Sequence, residues 1–265
     1  MDKLTISGLY LHPLKSAAAL IVEALNFDSR GPQFDRHWMV VDQNGKFRSQ
    51  RHHPKMSLIE PVLHAGRLSL KAPGMPRIDL GQPGSSQSVT VWDDTLIAGD
   101  CGATAANWMS EYLGVMSRVV VLTQDSLRRV DRQYSSGEET VGFADGYPCL
   151  IASQASLDDL NQYLKPPIDM RRFRPNIVIS GSAPYAEDQW QKLKIGDMIF
   201  DLVKPCSRCI IPSIDPDSGE KQMAVNQVLM AHRRRGRNTF FGQNAIHQGR
   251  GELRIGQTVE VISEK

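Results

Sequence analysis

The sequence predicts a mostly β fold with a few helices, arranged as two domains. Three observations carry that prediction. Short runs of β-forming residues separated by turn signals fill most of the first half. Helical periodicity is confined to residues 101–113 and 156–164. In the second half, Ile195-Gly196-Asp197 and Ile255-Gly256-Gln257 sit between short apolar segments, and tight turns of this kind indicate a small, strongly curved barrel. A polar, glycine-containing stretch at 127–145 suggests a boundary near residue 118, giving domains 1–118 and 119–265.

Taken in order, residues 5–11 form an apolar β-forming run, and residues 37–41 form another. The latter is followed by Asn44-Gly45, a hairpin signal because a type I′ turn needs positive φ at both central residues. Segments 57–63 and 67–70 flank His64-Ala65-Gly66 as a second hairpin, and 88–92 alternates as a strand. In 101–113, Ala105, Trp108, Met109 and Tyr112 recur at helical spacing, and Gly114 is a helix stop. Residues 119–122 and 149–152 read as buried strands, and 127–145 as a mobile loop. Ser156-Leu157-Asp158-Asp159 resembles a capping box opening a helix that ends before Pro166-Pro167. Strands follow at 176–180, 192–203 and 253–262.

Of the 265 residues, 41% are hydrophobic and 23% charged, which excludes disorder over most of the chain. Lys plus Arg number 31 against 29 Asp plus Glu, so bulk charge gives no case for nucleic-acid binding. No apolar run approaches the roughly 20 residues of a membrane span. The N-terminal run 17–22 is stopped by Glu23 with no cleavage pattern after it, so a cytoplasmic protein is expected. Four cysteines at this length do not make a disulfide scaffold.

The sharpest chemical feature is Lys204-Pro205-Cys206-Ser207-Arg208-Cys209. A Cys-x-x-Cys pair fits zinc, a redox dithiol, two buried structural cysteines, or one thiolate on a soft metal centre. Zinc lacks the other two ligands nearby, and Pro212 opposes the helix a thioredoxin-like pair should open. Cationic side chains also stand at strand ends: Lys15-Ser16, Arg36, and Arg171-Arg172-Phe173-Arg174. Together with Arg208 they suit an anionic ligand, which arginine grips bidentately. The run His232-Arg233-Arg234-Arg235-Gly236-Arg237 is either an exposed loop or a docking surface for an acidic protein. Asp215-Pro216-Asp217-Ser218-Gly219 lacks calcium-loop spacing and reads as a β-turn.

These segments, with His12-Pro13-Leu14-Lys15-Ser16, Asp35-Arg36-His37-Trp38, Trp92-Asp93-Asp94-Thr95 and Phe241-Gly242-Gln243-Asn244, run in the order of a known family. The chain resembles MOSC proteins of the YcbX-like and amidoxime-reducing kind, in which a MOSC N-terminal β-barrel domain precedes a MOSC β-barrel domain. The resemblance covers nearly the whole chain. It implies a molybdenum cofactor (Mo-molybdopterin) between the domains, with Cys209 as the catalytic thiolate ligand to the metal and Cys206 as its neighbour. It implies cofactor-binding roles for Lys15, Ser16, Arg36, Tyr147, Arg172, Arg174, Asn176, Ser207, Arg208 and Asn244. The implied reaction is two-electron reduction of a small N-hydroxylated compound to the amine or amidine with release of water. A non-catalytic role in carrying or sulfurating the cofactor is the alternative. Related chains often continue into a 2Fe–2S domain, and this sequence has no further cysteines for the four ligands of such a cluster. A separate electron donor, a ferredoxin or flavodoxin, is therefore expected, with no nucleic-acid or membrane partner.

Overall fold

The structure, a computed structural model, describes residues 3–265. Its largest sheet runs in the order Val259–Glu264, Trp190–Ile195, Met198–Arg208, Asn238–Gln248, Cys149–Ser153, Ile177–Ser180, Thr5–Leu11, Leu20–Val22. The sheet returns on itself. Thr5 bridges Thr258, Ile6 N–H donates to Gln257 O at 2.9 Å, and Val259 N–H donates to Leu4 O at 2.9 Å. Closure of this kind removes an exposed edge. The strands and tight turn expected over 192–203 are present: along Trp190–Ile195 and Met198–Arg208, residues Leu193, Ile195, Met198, Phe200 and Leu202 point inward and are buried. They pack with Ile6, Leu9, Phe27, Ile151 and Ile177 as the barrel core. Burying one such side chain contributes about 1.5–3 kcal/mol.

Met198–Arg208 does not run straight. Its register against Asn238–Gln248 shifts between Leu202 and Lys204 and again between Pro205 and Ser207. Pro205 has no N–H to give the ladder, so an interior strand that carries it must bulge. Bulges bend a strand and re-aim its side chains, and here they deliver Cys206–Cys209 to the barrel's end. A three-residue 3₁₀ turn, Ile211–Ser213, follows, with Pro212 in its first turn, where a missing N–H is tolerated.

The remaining first-half strands build a second sheet, Trp38–Val41, Arg118–Val121, Asp94–Asp100, Ser86–Val91, a hairpin sheet, Glu60–His64, Arg67–Ala72, Met75–Asp79, and, with Gly251–Arg254, a three-stranded sheet of Ala24–Asp28 and Gly31–Pro32. Helix Gly102–Leu113 buries Trp108, Met109 and Tyr112 against Trp38, Leu68 and Leu70, and ends at Gly114 in the left-handed region, φ 71°. The sheets do not divide at residue 118. Thr5–Leu11 and Ala24–Asp28 pair with strands Ile177–Ser180 and Gly251–Arg254, whereas Arg118–Val121 joins the first-half sheet. The predicted 1–118 and 119–265 division (residues 1 and 2 lie outside the described residues) is thus crossed by the strand pairing.

Local expectations differ in four places. Ser156 caps nothing. Helix Gln154–Asn161 starts earlier, and Ser156 Oγ donates to the fully buried Glu187 at 2.8 Å, a carboxyl whose pKa burial raises. The Asn44-Gly45 turn has positive φ only at Gly45, because Asp42 Oδ1 accepts the Asn44 and Lys46 N–H groups and sets a different turn. The strands around Ile255-Gly256-Gln257 part into different sheets. The 127–145 stretch is tied down: Arg128 is buried and its guanidinium donates to the carbonyls of Gly142, Ala144 and Asp145.

Candidate functional site

A cavity of about 550 Å³ opens where the barrel's end meets the first-half sheets. Its chain segments are held in unusual backbone. Of the seven non-glycine residues at positive φ, four line it: Ser16, Arg36, Trp92 and Arg174. Such conformations cost about 1–3 kcal/mol each and persist only where surroundings enforce them.

The enforcing contacts form one network under the cavity floor. Asp35, with a side chain 2% exposed, accepts the His12 N–H at 2.9 Å, Asn176 Nδ2 at 3.0 Å, and Arg36 Nη1. Arg36 also donates to Asn176 Oδ1 at 3.2 Å and to Arg174 O at 3.0 Å. Asn176 Oδ1 accepts the Leu150 N–H at 3.1 Å. The network ties the segment after the first strand to two barrel strands, and it fixes Arg36 and Arg174.

Lys15 Nζ donates to Phe143 O and Asp145 Oδ1, both at 2.7 Å. Burial pushes its pKa down to about 8, with Asp145 opposing. Asp145 has an exposed side chain, and the Lys15 and Arg51 cations bound to it hold its carboxyl well below its usual range. Arg174 is pushed down to about 9 by burial; Nη1 donates to Ala17 O at 2.6 Å, and Nη2 is buried without a partner. Arg208 donates to Cys206 Sγ at 3.0 Å and Phe173 O at 2.9 Å, leaving Nε buried and unpartnered. The lining carries six cations, Lys15, Arg36, Arg51, Arg174, Lys204 and Arg208, against the single carboxylate Asp145. Buried donors without acceptors in a cationic cleft mark an anion site.

The sulfurs separate. Cys101 and Cys149 are buried; burial pushes the Cys101 thiol up to about 12 and Cys149 further in the same direction, so both stay protonated. Cys206 is half-buried and Cys209 exposed, both on the cavity wall, so the buried structural pair is ruled out. Among the described residues no group of three or more His, Cys, Asp or Glu could hold a metal ion, which disfavours zinc.

Of the expected site residues, Lys15, Ser16, Arg36, Tyr147, Arg174, Asn176, Ser207, Arg208, Cys209 and Asn244 all line this cavity. Arg172 does not. It is buried outside it, donating to Asp215 Oδ2 and Gln222 Oε1 at 2.6 Å each. It braces the turn after the cysteines, and Asp215 accepts the Asp217 and Ser218 N–H groups as a structural turn would. Arg51, Trp92, Asp145, Lys204 and Asn238 line the cavity without having been singled out as ligands. Trp92 and Lys204 carried a sequence signal, through the motifs Trp92-Asp93-Asp94-Thr95 and Lys204-Pro205-Cys206-Ser207-Arg208-Cys209.

Anion binding here should depend on Lys15. The amine is charged below about pH 8 and neutral above it. Sulfate, whose own charge is constant in this range, is expected to bind about tenfold more weakly once that charge-assisted donor is lost. Calorimetric titration on either side of pH 8 checks this, and Lys15→Met should remove the step.

Fold and cavity together define a class: a β-barrel protein joined to a second β-rich unit, with a cationic cleft that presents an exposed thiol. Family models agree with that class. The MOSC N-terminal beta barrel domain matches residues 3–116 and the MOSC domain matches residues 138–260. The mitochondrial amidoxime-reducing component 1 of Mus musculus is 30% identical over 98% of this chain and 83% of its own. The mitochondrial amidoxime reducing component 2 of Rattus norvegicus is 34% identical over 81% of this chain and 68% of its own. The molybdenum cofactor sulfurase of Bos taurus is 29% identical over 91% of this chain, which spans 30% of that protein. The chain belongs to the MOSC family that includes the mitochondrial amidoxime-reducing components. Among the described residues no helix is long and apolar enough to cross a membrane.

Proposed function

We propose that the chain is a molybdenum-cofactor-dependent reductase of small N-hydroxylated compounds. The observation that carries this reading is the exposed Cys209 thiol on a cavity whose buried Arg174 Nη2 and Arg208 Nε lack acceptors. Those residues fit a phosphate-bearing cofactor with a soft metal: a thiolate for the metal, guanidinium and ammonium donors for the anion. Cys209 would ligate the metal. Lys15, Ser16, Arg36, Arg174, Ser207 and Arg208 would hold the anionic body, with Tyr147, Asn176 and Asn244 completing the wall. When bound, the cofactor supplies the two electrons that, with two protons, convert N–OH to N–H and water. The chain's part is to position and to set charge. The Asp35–Arg36–Asn176 network keeps the cleft preorganised, and Arg208, donating to Cys206, keeps a positive charge beside the Cys-x-x-Cys segment.

Electrons would come from a separate acidic ferredoxin or flavodoxin. Arg233 is withdrawn from any docking role: it is buried, paired with Asp188 at 2.6 Å, and stacked on Tyr185 at 3.9 Å. Arg234 and Arg237 remain exposed around the turn before Asn238, which lines the cavity, whereas Arg235 is half-exposed and also pairs with Asp188. Reversing the charge of Arg234 and Arg237 together should slow reduction by such a donor several-fold at low salt and remove its salt dependence. An unchanged rate contradicts the docking assignment.

The similarity to a molybdenum cofactor sulfurase motivates a second reading, a carrier that binds cofactor without turnover. Benzamidoxime with an artificial reductant separates the two: the reductase converts it to benzamidine, and a carrier does not.

A further inference from the structure

Trp92 lines the cavity beside Lys15 and Arg51, yet it carries no charge and is not among the residues assigned to the cofactor's anionic body. It stands first in the two-residue loop between strands Ser86–Val91 and Asp94–Asp100, at φ 56°, in backbone that favours glycine. The residue is 41% exposed. A strained backbone carrying a large, part-exposed aromatic at a cavity rim gains little for folding, and such features collect where a ligand is met.

The ring is also fixed. Indole Nε1–H donates to Asp145 Oδ1 at 3.2 Å. Phe47 packs against it with ring centroids 5.0 Å apart and planes inclined at 56°. The Arg51 guanidinium sits 4.6 Å from its centroid, and Arg51 is itself bound to Asp145 Oδ2 at 3.3 Å. Three partners therefore hold one orientation, which lowers the ordering cost of anything that stacks on it. The charged lining suits an anion, whereas Trp92 offers a flat apolar surface for a different part of a ligand.

We propose that Trp92, braced by Phe47 and Arg51, is the stacking platform for a planar aryl or heteroaryl group of the substrate, so that the site selects aromatic over aliphatic N-hydroxylated compounds. The proposal rests on the reductase reading above and adds the substrate class.

The test uses two probes of the same reaction, benzamidoxime and acetamidoxime, with cofactor-loaded protein. In Trp92→Leu the ratio of their kcat/KM values is expected to fall about tenfold, carried by KM for benzamidoxime, with molybdenum content unchanged. Trp92→Phe should keep most of the ratio. Equal losses for both probes, or a parallel loss of molybdenum, would overturn the proposal in favour of a structural or cofactor role. A second readout needs no turnover. Benzamidine should change the wild-type tryptophan fluorescence saturably where acetamidine does not, and Trp92→Phe should abolish the change. A response that survives in Trp92→Phe sinks the platform. If the wild type reduces neither probe, the reductase reading fails, and the fluorescence titration still decides whether Trp92 binds an aryl group.

Discussion

Replacing Cys209 by alanine is expected to abolish reduction of N-hydroxylated substrates while leaving the melting temperature within about 2 °C of the wild type. The two halves of that expectation have separate causes. Cys209 is exposed, follows the last residue of strand Met198–Arg208, and belongs to no core cluster, so its loss leaves no void. Its thiol is, however, the exposed sulfur on the wall of the cation-lined cavity, whereas Cys206 is half-buried and engaged by Arg208, and Cys149 is buried. Cys206→Ala provides the contrast. Cys206 Sγ accepts from Arg208 Nη1 at 3.0 Å, so its removal frees a guanidinium arm and is expected to lower activity partially rather than abolish it. Equal losses for the two variants would contradict the division of roles between the two sulfurs.

The second large effect is on stability. Asp35→Ala should cost about 3–5 kcal/mol, because it strands the Arg36 cation and leaves the His12 N–H and Asn176 Nδ2 without their acceptor. For a chain of this size that corresponds to a drop of roughly 10 °C in melting temperature. Asp35→Asn keeps one oxygen acceptor and should lose less. The same change should weaken sulfate binding, since Arg36 and the Arg174 backbone are positioned through Asp35. Thermal denaturation and calorimetry on one preparation check both effects, and a stable variant with weak sulfate binding would show that the network positions the cleft without supporting the fold.

The parts of the fold that were legible in the sequence are those set by local rules. The run at 5–11, the Gly114 stop and the Ile195-Gly196-Asp197 turn reappear because β-forming side chains, a left-handed C-terminal glycine and a tight turn need only neighbouring residues. Ser156 was misread because its partner Glu187 is 31 positions away, and a buried acceptor outweighs a capping pattern. The strand pairing across residue 118 has a related cause: pairing of Thr5–Leu11 with Ile177–Ser180 is set by barrel closure, which no local window contains.

The candidate site was legible where a motif carried it. Motif residues from Lys15 to Asn244 meet at one cavity although they lie on distant segments. Arg172 shows the limit: it neighbours Phe173 and Arg174 in one motif, yet the 3₁₀ turn Met170–Phe173 turns it toward Asp215 and away from the cleft. Asp145 and Arg51 could not be read at all. Their roles come from contact with Lys15 and with each other, and neither residue has a distinctive local sequence.

Molybdenum quantification tests the central claim most directly. Protein produced in a cell that makes the cofactor is expected to contain molybdenum at close to one equivalent per chain, released on denaturation together with a phosphorylated pterin. Normally folded protein from the same cell that carries neither would contradict the assignment of this cavity to the cofactor.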